Sequence, residues 1–161
     1  MPLGPVARIG DGTAHGNPLA PGPPSKDVFI GGQPAWLGCP PEALAAVMKA
    51  IADAAESIAK AAAANVAAKG TPGAAAAEAN LAKAIADGIA AVAAAMANTG
   101  ASIHACAIIK LLIPDGPGIV TTGSTTVRFN DKPACRVGDV IQEVTSVNSI
   151  ASGLPTVIVG G

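Results

Sequence analysis

Hydrophobic positions follow two different periods along the chain. From residue 42 to about residue 99, Leu, Ile, Val and Met recur at the three- and four-residue spacing of a helix face, with charges scattered between them. On both sides of this segment, short β-branched runs alternate with glycine and proline. Such runs are typical of short strands separated by turns. The pattern predicts two helices inserted into a chain of short strands.

The helical segment divides into two arms. Pro40 and Pro41 mark the start of the first arm, and Lys69 with Gly70 marks its end. Its apolar stripe consists of Leu44, Val47, Ile51, Ile58 and Val66. The stripe of the second arm consists of Leu81, Ile85, Ile89, Val92 and Met96. The connection between the arms is so short that the pattern predicts an antiparallel helical hairpin, with each arm about 38 Å long.

Composition and charge exclude some classes of function. The net charge is -1, and no basic cluster interleaves with aromatic residues, so we do not expect nucleic-acid binding. The N-terminus lacks the basic, apolar and cleavage regions of a signal peptide, which predicts a protein made in the cytoplasm. Three cysteines cannot all pair as disulfides, so metal ligation is the more informative use of these side chains.

The apolar arms raise the question of a membrane. Five charges interrupt the first arm: Lys49, Asp53, Glu56, Lys60 and Lys69. The second arm is less interrupted, because residues 84–103 carry only Asp87. Charges at this density argue against a stable membrane span, and transient membrane contact by the second arm remains the alternative.

The strand-rich flanks repeat each other. Arg8–Asp11 recurs as Arg136–Asp139, and Val28–Trp36 recurs as Val127–Cys135. A third copy of the strand lies at Gly153–Gly161. Each unit is a strand, a turn and a proline, and no single unit can bury its apolar face alone. We therefore expect three units to pack around a common axis.

These repeats resemble those of the PAAR family, whose pattern is x-V-x-I-x-G-x-P-A-x-R-x-G-D. Lys132–Asp139 departs from the namesake tetrapeptide only at Cys135. The resemblance implies a mainly β fold, a small three-sided β-cone of three pseudo-repeats, with an inserted antiparallel α-helical hairpin (α+β overall). The implied cone comprises residues 1–38 and 101–161, and the implied insertion comprises residues 39–100.

The resemblance also implies a function. Members of the family cap and sharpen the trimeric VgrG-type spike of type VI secretion or related contractile injection systems. The implied protein is made in the bacterial cytoplasm, binds the spike through its base, and is delivered outside or into a target cell. We expect the helical hairpin to dock an effector or a chaperone. The alternative is a membrane-active effector whose hairpin inserts into the target bilayer.

A cone tip has little interior to bury, so a structural metal is a natural substitute for apolar packing. His15, in Asp11–Gly16, and the pair His104 and Cys106 match family patterns. The family is known for three histidines and one cysteine around zinc, whereas this chain has two histidines. The resemblance implies Asp115 as the fourth ligand, because Ile113–Gly118 stands where relatives usually carry a Pro-His-x-Gly segment and a carboxylate oxygen is an acceptable zinc ligand. The alternatives are Glu143, Cys39, Cys135 or a water, and iron is an alternative to zinc.

No sequence motif indicates an enzyme. The chain has neither a phosphate-binding glycine loop with Lys-Ser/Thr, nor His-Glu-x-x-His, nor Gly-x-Ser-x-Gly. We therefore expect a structural metal and no catalysis, and a small metal-dependent hydrolase would require an open coordination position. Cys135 and Trp36 are expected to be packing residues.

Overall fold

The computed structural model describes residues 3–110 and 113–161. Its elements within these residues are β1 (Gly4–Val6), β2 (Phe29–Ile30), β3 (Gln33–Pro34), α1 (Pro41–Ala68), α2 (Ala74–Ala97), β4 (Ile103–Lys110), β5 (Ile113–Val120), β6 (Arg128–Phe129), β7 (Lys132–Pro133), β8 (Val140–Glu143), β9 (Val147–Ser149) and β10 (Leu154–Val159). All strand pairs among the described residues are antiparallel, and the largest sheet has the order β4-β5-β8-β9. The predicted α+β fold, with many short strands and a helical insertion, is confirmed.

The helical hairpin begins and ends close to the predicted positions. α1 starts at Pro41, where a proline costs no hydrogen bond, and the chain leaves it through Gly70 at a φ of 78°. α2 crosses α1 at Gly88, where an added Cβ would lie 3.1 Å from the Cβ of Ala54. The small residues at this point let the two helices approach closely.

Only the half of the hairpin nearest the sheet is anchored. Val47 and Ala54 of α1 and Val92 and Met96 of α2 form a buried cluster with sheet residues that include Ile119. Between residues 59 and 87, all of which the structure describes, no residue is buried. The predicted apolar stripe is therefore not covered at its outer end, where Val66 is 64% exposed.

Three short antiparallel strand pairs within the described residues correspond to the sequence repeats. β2 pairs with β3 around Gly31 and Gly32, and β6 pairs with β7 around Asn130 and Asp131, all four with positive φ. Turns of this kind match the twist of the flanking strands. The third pair joins β1 to β10, so its two strands come from opposite ends of the sequence.

Each pair is hydrogen-bonded to the next at equivalent positions. Isolated bridges join Leu37 to Ala134, Arg136 to Val6, and Arg8 to Ala35. The accompanying backbone bonds are Gly38 N to Pro133 O (2.8 Å), Val137 N to Pro5 O (2.9 Å) and Ile9 N to Pro34 O (3.0 Å). The β2–β3 pair thus contacts the β6–β7 pair, which contacts the β1–β10 pair, and the β1–β10 pair in turn contacts the β2–β3 pair. The three pairs form a closed ring.

The inside of the ring is filled by residues from all three units. Ala7, Trp36 and Cys135 occupy equivalent positions, are fully buried, and belong to one cluster. Leu19, Val120 and Ile150 add a second set of buried side chains to the same cluster. The burial of Trp36 and Cys135 agrees with their interpretation as packing residues. The large Trp36 side chain packs with the small side chains of Ala7 and Cys135, and together they fill the interior of the ring.

The helical insertion takes the place of one repeated turn. In two units the arginine backbone N–H donates to an aspartate three residues later, Arg8 to Asp11 at 2.8 Å and Arg136 to Asp139 at 2.9 Å. The corresponding segment of the remaining unit is 37–40, which lacks both the arginine and the aspartate. α1 starts immediately after it. The hairpin is therefore inserted where the third Gly-Asp turn would lie.

Candidate metal centre

Three neighbouring hairpins bring four ligand-type side chains together. His15 lies in a tight turn closed by the bonds from Thr13 N to Asn17 O and from Gly16 N to Thr13 O. Cys106 lies on β4 opposite Gly116 of β5, which places Asp115 beside it. Glu143 ends β8, and its N–H donates to Ser146 O across the turn into β9. The turn at residues 13–17, the β4–β5 pair and the β8–β9 pair therefore each contribute at least one member.

The ligand atoms of His15, Cys106, Asp115 and Glu143 all lie within 4.8 Å of one another. His15 Nδ1 is 3.2 Å from Glu143 Oε2, 3.6 Å from Cys106 Sγ and 3.7 Å from Asp115 Oδ2. Cys106 Sγ is 3.9 Å from Asp115 Oδ2. His15 is half-buried and the other three side chains are buried, so the group can hold a metal ion at the margin of the interior.

These separations fit a four-coordinate ion. With metal–ligand bonds of about 2.0 to 2.3 Å, the ligand atoms of a tetrahedral site lie about 3.3 to 3.7 Å apart. The four distances above run from 3.2 to 3.9 Å and lie close to this range. Two carboxylates and a thiol at such separations repel one another when charged, and a cation at their centre would relieve that repulsion.

Hydrogen bonds hold both carboxylates in their ionised form. Burial raises the pKa of Asp115, but hydrogen bonds from Thr145 and Ser146 and the ammonium of Lys110 outweigh burial and bring that pKa below its usual value. Thr145 Oγ1 donates to Asp115 Oδ1 at 2.6 Å, and Lys110 Nζ lies 3.2 Å from Oδ2. An ionised carboxylate is the form that binds a metal.

The Glu143 carboxylate is also held in its ionised form. Burial raises its pKa, while the His104 ring, the Ser146 hydroxyl, the Asn148 amide and the nearby His15 ring lower it, with a net fall to about 2. Ser146 Oγ donates to Oε2 at 2.6 Å, and Asn148 Nδ2 donates to Oε1 at 2.9 Å. Both oxygens of this fully buried carboxylate therefore have fixed partners.

The pKa of the Cys106 thiol is shifted in the opposite direction, upwards. Burial raises its pKa, and a backbone hydrogen bond at Ile108 lowers it. The negative charges of Glu143 and Asp115 raise it again, so the net pKa lies above its usual value. A nearby divalent cation reverses this balance because it stabilises the thiolate directly.

His104 lies next to the group, behind Glu143. Its Nδ1 is 2.9 Å from the carbonyl oxygen of Pro18, and because a carbonyl only accepts, Nδ1 carries the proton. The buried Nε2 lies 3.4 Å from Glu143 Oε1 and has no hydrogen-bond partner among the residues that the structure describes. Nε2 thus faces the carboxylate of Glu143, and this ring is one of the groups that lower the pKa of Glu143.

The structure brings together three of the four residues that the sequence analysis predicts as metal ligands. His15, Cys106 and the predicted fourth ligand Asp115 are brought together, and Glu143, one of the alternatives, joins them. His104 lies at the edge of this group rather than within it. Cys39 packs among the helices and Cys135 packs in the interior of the ring, so neither is near the group.

A spacing in the repeats could have identified Glu143. His15 follows Asp11 by four positions, and Glu143 follows Asp139 by four positions. Since Arg8–Asp11 and Arg136–Asp139 are equivalent segments, His15 and Glu143 occupy equivalent places in two units. A search for metal ligands limited to histidine and cysteine does not reveal this correspondence.

Comparison with known proteins finds no relative: no family model matches the chain, and no curated protein or solved structure matches it.

The number of ligand side chains in the group indicates which kind of metal site it could form. Four protein donors complete a tetrahedral ion, an arrangement typical of structural metal sites, whereas catalytic sites leave a position for water or substrate.

Proposed function

We propose that this protein is a metal-clamped spike tip of the PAAR type, which caps the trimeric VgrG-type spike of a contractile injection system such as type VI secretion. The observation that carries the proposal is the meeting of ligand side chains from three separate hairpins at one candidate metal centre. One ion bound there would tie these three hairpins together. A tip that penetrates an envelope needs such rigidity.

The ring of strand pairs supports a three-sided cone. Equivalent bridges at Leu37, Arg136 and Arg8 give the flanks a threefold repetition within one chain. A base with threefold repetition matches a trimeric shaft, because each unit can contact one spike chain in the same way. In this proposal residues 1–38 and 101–161 form the cone, and residues 39–100 form the inserted hairpin.

The proposed ion is zinc. Nitrogen, sulfur and carboxylate oxygen are all accepted zinc ligands, and a mixed set of four suits its tetrahedral preference. Iron binds the same donor types, so metal analysis must distinguish the two. When bound, the ion supplies cross-linking rather than chemistry, and the protein is proposed to have no enzymatic activity.

Metal analysis of purified protein is the first experiment. Wild type is expected to contain about one zinc per chain by mass spectrometry. His15→Ala, Cys106→Ala and Asp115→Ala are expected to lose both the metal and a large part of the thermal stability. Cys39→Ala is the matched control, since this buried cysteine lies outside the candidate centre. A metal-free wild type as stable as its variants would refute the clamp.

Spike binding requires a separate measurement. The chain is co-expressed with a VgrG-type protein from the same bacterium, and native mass spectrometry determines the stoichiometry. One copy per spike trimer is expected, and Phe29→Asp, Ile158→Asp double substitution at exposed positions of two strand pairs should abolish the complex. The absence of any complex with the wild-type chain would contradict the spike-tip function while leaving the metal clamp intact.

The helical hairpin is proposed to dock an effector or a chaperone, since none of its residues from 59 to 87 is buried within the part of the chain that the structure describes. Replacing residues 42–99 by a short linker should leave metal content and spike binding unchanged but abolish delivery of the effector. Delivery at the wild-type level by this variant would contradict the docking role.

A second candidate function is membrane insertion by the hairpin. α2 is long and apolar enough to cross a membrane by length and composition, and only 17% of its most apolar stretch is buried. A core helix of similar composition would be mostly buried. Dye release from anionic liposomes by the wild-type chain, lost in Ala91→Lys on the exposed face of α2, would favour this candidate over docking; intact liposomes would exclude it.

A further inference from the structure

The Asn148 side chain connects two of the segments that carry the ligand group, the turn with His15 and the β8–β9 hairpin with Glu143. It lies on β9 opposite Ile141 of β8, and its side chain is buried. Its Oδ1 accepts hydrogen bonds from the backbone N–H of His15 at 3.1 Å and of Ser149 at 2.8 Å. Its Nδ2 donates to Glu143 Oε1 at 2.9 Å. A single amide therefore contacts two residues of the ligand group.

This position requires a side chain that donates and accepts at once. The two N–H groups need an acceptor, and the Glu143 carboxylate needs a donor. These partners also fix the orientation of the amide, because the reversed amide would point an NH₂ group at two backbone donors. Aspartate offers no donor, and an apolar residue of the same shape satisfies neither side.

The contact decides which Glu143 oxygen faces the ligand group. Asn148 holds Oε1, and this leaves Oε2, which Ser146 supports, at 3.2 Å from His15 Nδ1. The bond to the His15 backbone fixes the turn that carries this ring. Without Asn148, the Glu143 carboxylate and the His15 turn each lose a partner, and both ligands gain freedom.

We propose that Asn148 is a positioning residue that orients Glu143 and His15 for the metal ion, an inference that rests on the metal centre proposed above. Partners of this kind behind metal ligands typically contribute 10- to 100-fold in metal affinity. Asn148 is expected to act in the same way, although it does not itself contact the ion.

The test compares metal affinity with folding stability. Zinc dissociation constants are measured by competition with a chromogenic chelator for wild type, Asn148→Ala and Asn148→Leu, the second of which keeps the shape of the side chain. Ser149→Ala is the matched control, because it alters the neighbouring residue of β9 while the backbone bonds remain. Visible spectra of the cobalt-substituted proteins report the coordination geometry, which a purely structural role of Asn148 would leave unchanged.

Zinc affinity is expected to fall 10- to 100-fold in both Asn148 variants, with altered cobalt spectra, while Ser149→Ala behaves as wild type. If either folded variant keeps wild-type affinity and spectrum, the inference is refuted, even when its melting temperature falls. If the Asn148→Ala chain does not fold, Asn148→Leu decides. A wild type that binds neither zinc nor cobalt would refute the metal centre itself, a different result from unchanged binding in the variants.

Discussion

The equivalent buried positions Ala7, Trp36 and Cys135 allow a test in which the large side chain is moved from one repeat unit to another. Trp36 fills this space, while Ala7 and Cys135 at the same position of the other units leave it room. Trp36→Ala should lower the free energy of unfolding by about 3 to 5 kcal/mol, the usual cost of truncating a large buried aromatic side chain. Ala7→Trp alone should also destabilise, because it adds a second indole to a filled space.

The informative variant combines the two changes. If the units are equivalent, Trp36→Ala with Ala7→Trp moves the indole by one unit around the ring and refills the same space. The double variant should then recover about half or more of the stability lost by Trp36→Ala. Because Ala7→Trp alone is also destabilising, the favourable coupling energy in a double-mutant cycle should be at least about 2 kcal/mol. The recovery follows from geometry, since the transferred volume is unchanged.

Unfolding by guanidinium, followed by far-UV circular dichroism, measures all four proteins of the cycle with saturating zinc and again with chelator. Phe29→Ala is the control, because this aromatic side chain is 58% exposed and its loss should cost far less. If the double variant is less stable than both single variants, with costs that simply add, the three positions do not share one space. The equivalence of the units would then be wrong.

Three further predictions concern separate regions. Because folding lowers the pKa of Glu143 from 4.5 to about 2, its ionised form stabilises the metal-free protein above about pH 4.5 by about 3 kcal/mol. This stabilisation should disappear as the pH falls towards 2, and urea titrations should show a weaker pH dependence in Glu143→Gln. Asp131 has a φ of 61° in a tight turn, so Asp131→Gly should raise the melting temperature, measured by calorimetry, by an amount corresponding to about 0.5 to 1 kcal/mol. In chemical denaturation, Val66→Ser should change stability by less than about 0.5 kcal/mol, whereas the buried Val92→Ala should cost about 2 kcal/mol; equal effects would contradict anchoring of only half the hairpin.

The sequence was informative wherever local patterns decide structure. Apolar spacing and the prolines at 40 and 41 predicted both helices, because helix formation depends on residues three and four apart. The same spacing did not reveal that Val66 is exposed. A stripe shows which face of a helix is apolar, but whether another element covers that face depends on the position of the sheet.

The candidate metal centre was partly predictable for a related reason. His15, Cys106 and Asp115 stand in recognisable local segments, and the structure brings them together. Glu143 was named only as one of several alternatives, since a lone glutamate on a strand carries no signal of its own, and the correspondence between two repeats would have singled it out. The place of His104 behind Glu143 depends on its bond to the Pro18 carbonyl, a contact between distant segments that no local pattern specifies.

The pairing of β1 with β10 has a consequence for the order of folding. Gly4 faces Val159, so the first and last strands of this arrangement are separated by almost the whole sequence. Contacts between such distant segments form slowly, because a long loop must close before they contribute any stability. During synthesis the ring stays open until β10 has left the ribosome, whereas the helical hairpin, whose contacts are local, can form much earlier. His15 and Glu143 likewise meet only when the later part of the chain arrives, so assembly of the candidate metal centre and ring closure belong to the last stage of folding.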